Sequence, residues 1–227
     1  MIIGMSMRKI HFMPDEYYHV YNRGNSKQII FKDRYDYERF HSSLYVANGT
    51  APLVFREISD KYVFDFDRSE QLVYIGAYCL MPNHFHILLK PAVEHGVEVF
   101  MQKLSTSYAS FFNHKYDRTG ALYEGKFKAE WVDSDEYLKY LFSYIHLNPV
   151  KLIQSDWKEE GIREPNKALN FLETYGYSSF FDFDGIERVE KKILTQHLFP
   201  EYFPNQASFR KEIFDWVEYN PETFILT

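Results

Sequence analysis

At 227 residues, 45% of them hydrophobic, the chain is long enough for one domain with an appendage and can bury a sizeable core. An aromatic share of 19% beside 26% charged residues excludes a disordered chain, and a single cysteine, Cys79, excludes an intrachain disulfide framework and fits a reducing cytoplasm. The net charge of −6 argues against a protein that coats duplex DNA through a general positive field. That charge is unevenly spread. Of the 26 Lys and Arg and 32 Asp and Glu, residues 1–155 hold 18 of each, which leaves 8 against 14 for residues 156–227. A nucleic-acid partner would therefore need a local basic patch in the first part, away from the acidic tail. The longest apolar stretch, around Leu72 to Met81, is far short of the roughly 18 residues of a membrane span. The opening MIIGMSMRKI has no signal-peptide pattern. No membrane association and a cytoplasmic location are expected.

In chain order, YYHVYNRGN (Tyr17 to Asn25) is β-branched and aromatic before a Gly/Asn turn, and predicts a strand running into a loop. DRYDYERFHSSLYVAN (Asp33 to Asn48) spaces Tyr37, Phe40, Leu44 and Tyr45 as one helical face. PLVFREI, near residue 55, predicts a short strand. QLVYIGAYCL (Gln71 to Leu80) and HFHILLK (His84 to Lys90) flank Met81-Pro82-Asn83, the pattern of a hairpin. Val97 to Tyr116 is an amphipathic helix through Val97, Phe100, Met101, Leu104, Tyr108, Phe111 and Phe112. Arg118 to Val132 is glycine-punctuated, then strand-like. Ser134 to Asn148 opens with an N-cap serine and acidic first-turn residues, and is expected to stop at Pro149. A last helix is predicted over Ala207 to Tyr219. This order predicts an α+β fold of the ferredoxin-like class, an antiparallel sheet with helices on one side. Residues 156–227 form a mainly helical C-terminal extension to a catalytic domain of residues 1–155.

Chemistry concentrates at two places. His84 and His86 alternate with Phe85 on a strand, so their imidazoles share a face and could share a metal ion. The plainer reading is two satisfied histidines on a half-exposed face. Tyr144 and Asn148 are four residues apart, hence on one helical face, and an amide oxygen at a helix end can be a hard ligand. A tyrosine hydroxyl beside such a centre can act as a nucleophile, although most of the 19 tyrosines must be packing residues. Tyr140, one turn earlier, is a rival with no ligand-type residue four positions on. His146 points off that face and reads as structural. Asn22 and Arg23 either touch DNA or fix a turn. Lys115, Arg118, Lys126 and Lys128 form the best basic patch, with Tyr116, Tyr123 and Phe127 interleaved as stacking surfaces or as core anchors.

YHVYNRGN, MPNHFHILLK, TGALYEGKFK, YIHLNPVK and YGYSSF occur in that order. Together they resemble the single-tyrosine HUH transposases (U being a bulky apolar residue), which include the REP-associated tyrosine transposases and the insertion-sequence transposases that act on single-stranded DNA. The resemblance spans about residues 13–180. It implies a ferredoxin/RRM-like fold and a divalent metal, Mg²⁺ or Mn²⁺, held by His84, His86 and Asn148. It further implies Tyr144 as the nucleophile that forms a 5′-phosphotyrosine, and single-stranded DNA with a hairpin as the partner. Relatives include monomers and homodimers. Two rival expectations are a non-catalytic hairpin-binding protein that keeps the fold, and a phosphoesterase that uses metal-bound water.

Overall fold

The computed structural model describes residues 10–52 and 60–218. The strand expected near residue 55 lies outside them, as does the last residue of the helix expected to end at Tyr219. The elements run β1 (Tyr17–Arg23), α1 (Arg34–Val46), β2 (Val73–Met81), β3 (His84–Pro91), α2 (Gly96–Lys115), β4 (Lys128–Val132) and α3 (Asp135–Leu147). The sheet is antiparallel with order β2-β3-β1-β4, and its βαββαβ sequence of elements is that of the ferredoxin-like fold. Short helices α4 (Trp157–Glu160), α5 (Pro165–Leu172), α6 (Phe180–Phe183) and the longer α7 (Gln206–Glu218) follow.

Local chemistry explains the boundaries. Asp33 and Asp36 close a capping box at the start of α1, and Ser134 Oγ accepts from Tyr137 N–H to cap α3. The hairpin turn is tighter than the sequence pattern suggested. Met81 pairs with His84 inside the ladder, so the turn itself is Pro82-Asn83. The expected stop at Pro149 also differs from what the chain does. Asn148 keeps helical backbone angles, and the helix tightens into a 3-10 turn over Asn148–Leu152. Proline is tolerated there because the first residues of a helical turn donate no intrahelical hydrogen bond.

Helices cover both faces of the sheet, where the sequence pattern suggested one. Val20, Phe85, Ile87 and Leu89 pack under α1 and α2 with Phe40, Phe100, Leu104, Tyr108 and Phe112. Ala77, Cys79, Met81 and Leu88 pack under α3 with Leu138, Leu141, Phe142 and Ile145. The second layer exists because β2 and β3 carry apolar side chains on both faces, and neither can be left in water. Each fully buried large side chain contributes about 1.5–3 kcal/mol.

Residues beyond 156 close the remaining edge and end. Leu80 N–H donates to Tyr177 O and Ser179 N–H to Tyr78 O, so the outer edge of β2 is covered. A bulge beside Gly76 lets the Phe199 ring approach so closely that an added Cβ would lie 2.7 Å from it. Among the described residues no helix is long and apolar enough to cross a membrane.

Candidate active site

β3 pairs on both sides, so its alternation fixes the site. Phe85, Ile87 and Leu89 enter the α1/α2 core, and His84, His86 and Leu88 face α3. Across the ladder, Arg23 stands opposite His84, Tyr21 opposite His86, and His19 opposite Leu88. One strand further, Lys128 pairs with Tyr21 and Glu130 with His19. Seven polar side chains from three strands therefore share the face that α3 crosses.

The imidazoles of His84 and His86 are 5.0 Å apart, centroid to centroid, at 86°. Each has its Nδ1 engaged. Asn83 Nδ2 donates to Lys27 O, which turns Asn83 Oδ1 toward His84 Nδ1 at 2.6 Å. A carbonyl oxygen only accepts, so His84 Nδ1 carries the hydrogen and Nε2 keeps its lone pair. His86 Nδ1 lies 2.8 Å from His19 Nε2, with the two rings stacked at 5.0 Å. His19 is the neighbour of His86 that sequence reasoning missed. Its parity along β1 matches Tyr17, Tyr21 and Arg23, but only the β1–β3 register shows that this parity faces His86.

Burial, then the charges of Lys151 and Arg23, pushes His84 down to about 4. Burial, then His19, holds His86 well below the ordinary histidine value. Both are therefore neutral at pH 7, the state in which imidazole binds metal. Two lone pairs from neutral imidazoles suit a divalent ion, and the amide oxygen of Asn148 is a harder donor of the expected type. Asn148 is 2% exposed, with its Nδ2 donating to Tyr144 O at 3.0 Å, so its oxygen is the end left for another partner. Among the described residues no group of three or more His, Cys, Asp or Glu is arranged around an ion site. Such an ion would hence take two imidazoles and complete its shell from oxygen donors outside those residue types.

Tyr144 is half-buried on α3, edge-on to His86 at 5.7 Å and to His19 at 6.2 Å. Tyr140 stacks on Tyr144 at 5.9 Å and on Tyr137 at 6.2 Å, and leans on Trp216 of α7. The exposed Lys158 of α4 places Nζ 3.7 Å from the Tyr144 ring centroid. His146 is fully buried against Ser179 Oγ at 2.8 Å, the structural role expected for it.

The basic residues divide. Arg23 lies on the histidine face and pairs with Glu124, and Lys126 and Lys128 are exposed beside it. Lys115 is instead held by Asp33 and Asp36 at the start of α1, and Arg118 donates to Asn113 Oδ1 at the end of α2. Asn22 is 6% exposed, accepts from Arg23 N–H and donates to Gly125 O, which makes it a turn-fixing residue. Tyr123 is core, Tyr116 bonds to Asp36, and Phe127 stacks on Phe12, so the three aromatics anchor the loop.

Residues 53–148 match the family model described as IS200-like transposase. The solved structure of a REP-associated tyrosine transposase bound to a REP hairpin is similar at a TM-score of 0.50. The match covers 82% of this chain and 90% of that one at 12% identity, a likeness of fold. No curated protein matches the sequence.

Proposed function

We propose that this transposase cleaves and rejoins single-stranded DNA at a hairpin, through a 5′-phosphotyrosine on Tyr144 and with the help of Mg²⁺ or Mn²⁺. The observation that carries the reading is Tyr144 lying edge-on to His86 within one chain. His84 and His86 would hold the ion through Nε2, with Asn148 as the oxygen donor. When bound, the ion polarises the scissile phosphate and takes up developing charge.

The remaining chemistry belongs to the chain. Tyr144 Oη gives up its proton and bonds to phosphorus as the 3′-oxygen of the neighbouring nucleotide leaves and takes up a proton. Attack by another 3′-OH on the phosphotyrosine reverses the step and joins strands, so bond energy is conserved and no nucleotide cofactor is required. Lys158 sets a positive charge against the tyrosine ring, where in this reading it faces the anionic phosphate. Arg23, Lys126 and Lys128 give that face its local cationic surface in a chain of net charge −6. Residues 1–155 act in this reading as the catalytic domain and residues 156–227 as an extension packed on it.

The test is to incubate the full chain with end-labelled single-stranded hairpins and Mn²⁺, then run a denaturing gel. A covalent protein–DNA adduct that EDTA abolishes is expected. Nicked DNA with no adduct would point to attack by metal-bound water, and binding without cleavage to a hairpin-binding protein; either result overturns the reading.

A further inference from the structure

The loop that carries Glu124 is strapped across the end of β1 by bonds that do not involve its carboxylate. Glu124 N–H donates to Arg23 O at 3.0 Å, and Asn25 N–H to Leu122 O at 2.8 Å. Asn22 Nδ2 donates to Gly125 O at 3.2 Å, and Gln28 Nε2 to Leu122 O at 2.9 Å. The loop therefore has its place without an ion pair. Glu124 nonetheless makes one. Arg23 Nε donates to Glu124 Oε1 at 3.0 Å and Nη2 to Oε2 at 2.9 Å, a two-point fork.

Arg23 stands opposite His84 on the β1–β3 ladder, so it belongs to the face that α3 crosses. Both partners of the fork can be reached from solvent, with 41% of the Arg23 side chain and 30% of the Glu124 side chain exposed. The bond from Arg23 holds Glu124 below the ordinary carboxylate range, with lesser help from the charge of Lys128 and the backbone of Lys27. A guanidinium fork beside a lysine and a backbone N–H is a donor set that suits a phosphate as well as a carboxylate. An exposed ion pair adds little to folding, so exchanging its anion leaves the fold nearly as stable.

We infer that the Glu124 carboxylate occupies a phosphate site. It holds Arg23 in the free protein, and a backbone phosphate displaces it when single-stranded DNA lies across the histidine face. The inference deepens the reading above and rests on it for the identity of the ligand. Glu124 is then a built-in competitor that lowers affinity for any passing polyanion. Arg23 goes over to a strand whose other phosphates already lie against Lys126 and Lys128, the exposed cations beside it. The exchange is also nearly neutral in small ions, because the DNA sheds a cation at Arg23 while the freed carboxylate takes one up.

The experiment measures binding of a labelled DNA hairpin with an oligo-dT flank by fluorescence anisotropy, in EDTA to withhold metal. Glu124→Gln should bind about fivefold more tightly than wild type, and its slope of log affinity against log salt should be steeper by about 0.7. In an Arg23→Met background the same substitution should change affinity less than about twofold, since no fork remains to be released. Thermal unfolding of Glu124→Gln should match wild type, because the backbone bonds hold the loop. Should Arg23→Met fail to fold, the salt slope decides. Unchanged or weaker binding by Glu124→Gln would make the pair a strap of the loop, and an equal gain in both backgrounds would make it a general effect of negative charge; either overturns the inference. Binding is read without metal, so failure to form an adduct would count against the proposed chemistry and leave this result standing. DNA left unbound by both wild type and Glu124→Gln would overturn the two together.

Discussion

The two faces of one sheet divide the labour of this molecule. β3 sends Phe85, Ile87 and Leu89 into a dry layer under α1 and α2, and His84 and His86 to the face under α3. Both sets come from the same eight residues, separated only by the pleat. On the dry face the β3 side chains are closed in by apolar contacts and need no polar partner. The α3 face holds buried imidazoles, and each is satisfied by a specific neighbour, Asn83 for His84 and His19 for His86. Stability and chemistry can therefore be altered separately by substitutions one residue apart.

The largest effect should come from breaking the dry face. Phe85 is fully buried, and Phe85→Ala is expected to cost about 3–5 kcal/mol in urea denaturation, while the molecules that remain folded still form adduct. Its neighbour gives the contrast. His84→Ala removes a half-buried ring with one side-chain bond, so stability should change by about 1 kcal/mol, with Mn²⁺ binding and cleavage lost. Equal stability losses at the two positions would remove the distinction between the faces.

A sharper contrast within the α3 face concerns Lys158, supplied by a segment outside the matched residues 53–148. Lys158→Met should leave folding and Mn²⁺ binding unchanged and slow adduct formation about tenfold, with Lys158→Arg recovering most of the rate. Unchanged single-turnover rates in Lys158→Met would show that the charge over the ring is idle.

The last contrast is a pH dependence on the dry side. His41 of α1 is buried, and burial followed by the charge of Arg188 pushes it down to about 3 from the ordinary histidine value of 6.5. Its folded value lies below its unfolded one, so between about 6.5 and 3 the unfolded chain binds the extra proton. The stability from this group is complete above about 6.5 and is lost as the pH falls toward 3. At pH 5 the loss is about 2 kcal/mol, seen as a lower urea midpoint than at pH 7. His41→Phe should flatten that part of the curve; an unchanged slope would remove His41 as its source.

The fold was legible wherever periodicity was long enough to read. The hairpin, α1, α2 and α3 each carry an apolar repeat and an end signal in their own residues, such as the Asp33 and Ser134 caps. The short helices from Trp157 to Phe183 carry at most one or two turns of such a pattern, and their placement comes from seating on the β2 edge and on α3. At the site, the shared face of His84 and His86 was readable from spacing, and the roles expected of them and of Tyr144 rest on the family resemblance. His19, Glu130 and Lys158 were not, since each depends on strand register or on packing between distant segments. The basic patch was over-read for the same reason. Lys115 looks free in its own stretch, yet its acids are Asp33 and Asp36, some 80 residues earlier.

The central claim is that Tyr144 carries the covalent bond to DNA, and the direct measurement is to identify the modified residue. Wild-type protein is reacted with a single-stranded hairpin and Mn²⁺, digested with nuclease and protease, and the nucleotide-bearing peptide is sequenced by mass spectrometry. The account predicts the adduct on Tyr144, its absence in Tyr144→Phe, and its persistence in Tyr140→Phe, whose ring stacks on Tyr144 one turn earlier. A nucleotide found on Tyr140, Tyr137 or Tyr21, or an adduct that survives in Tyr144→Phe, would contradict it.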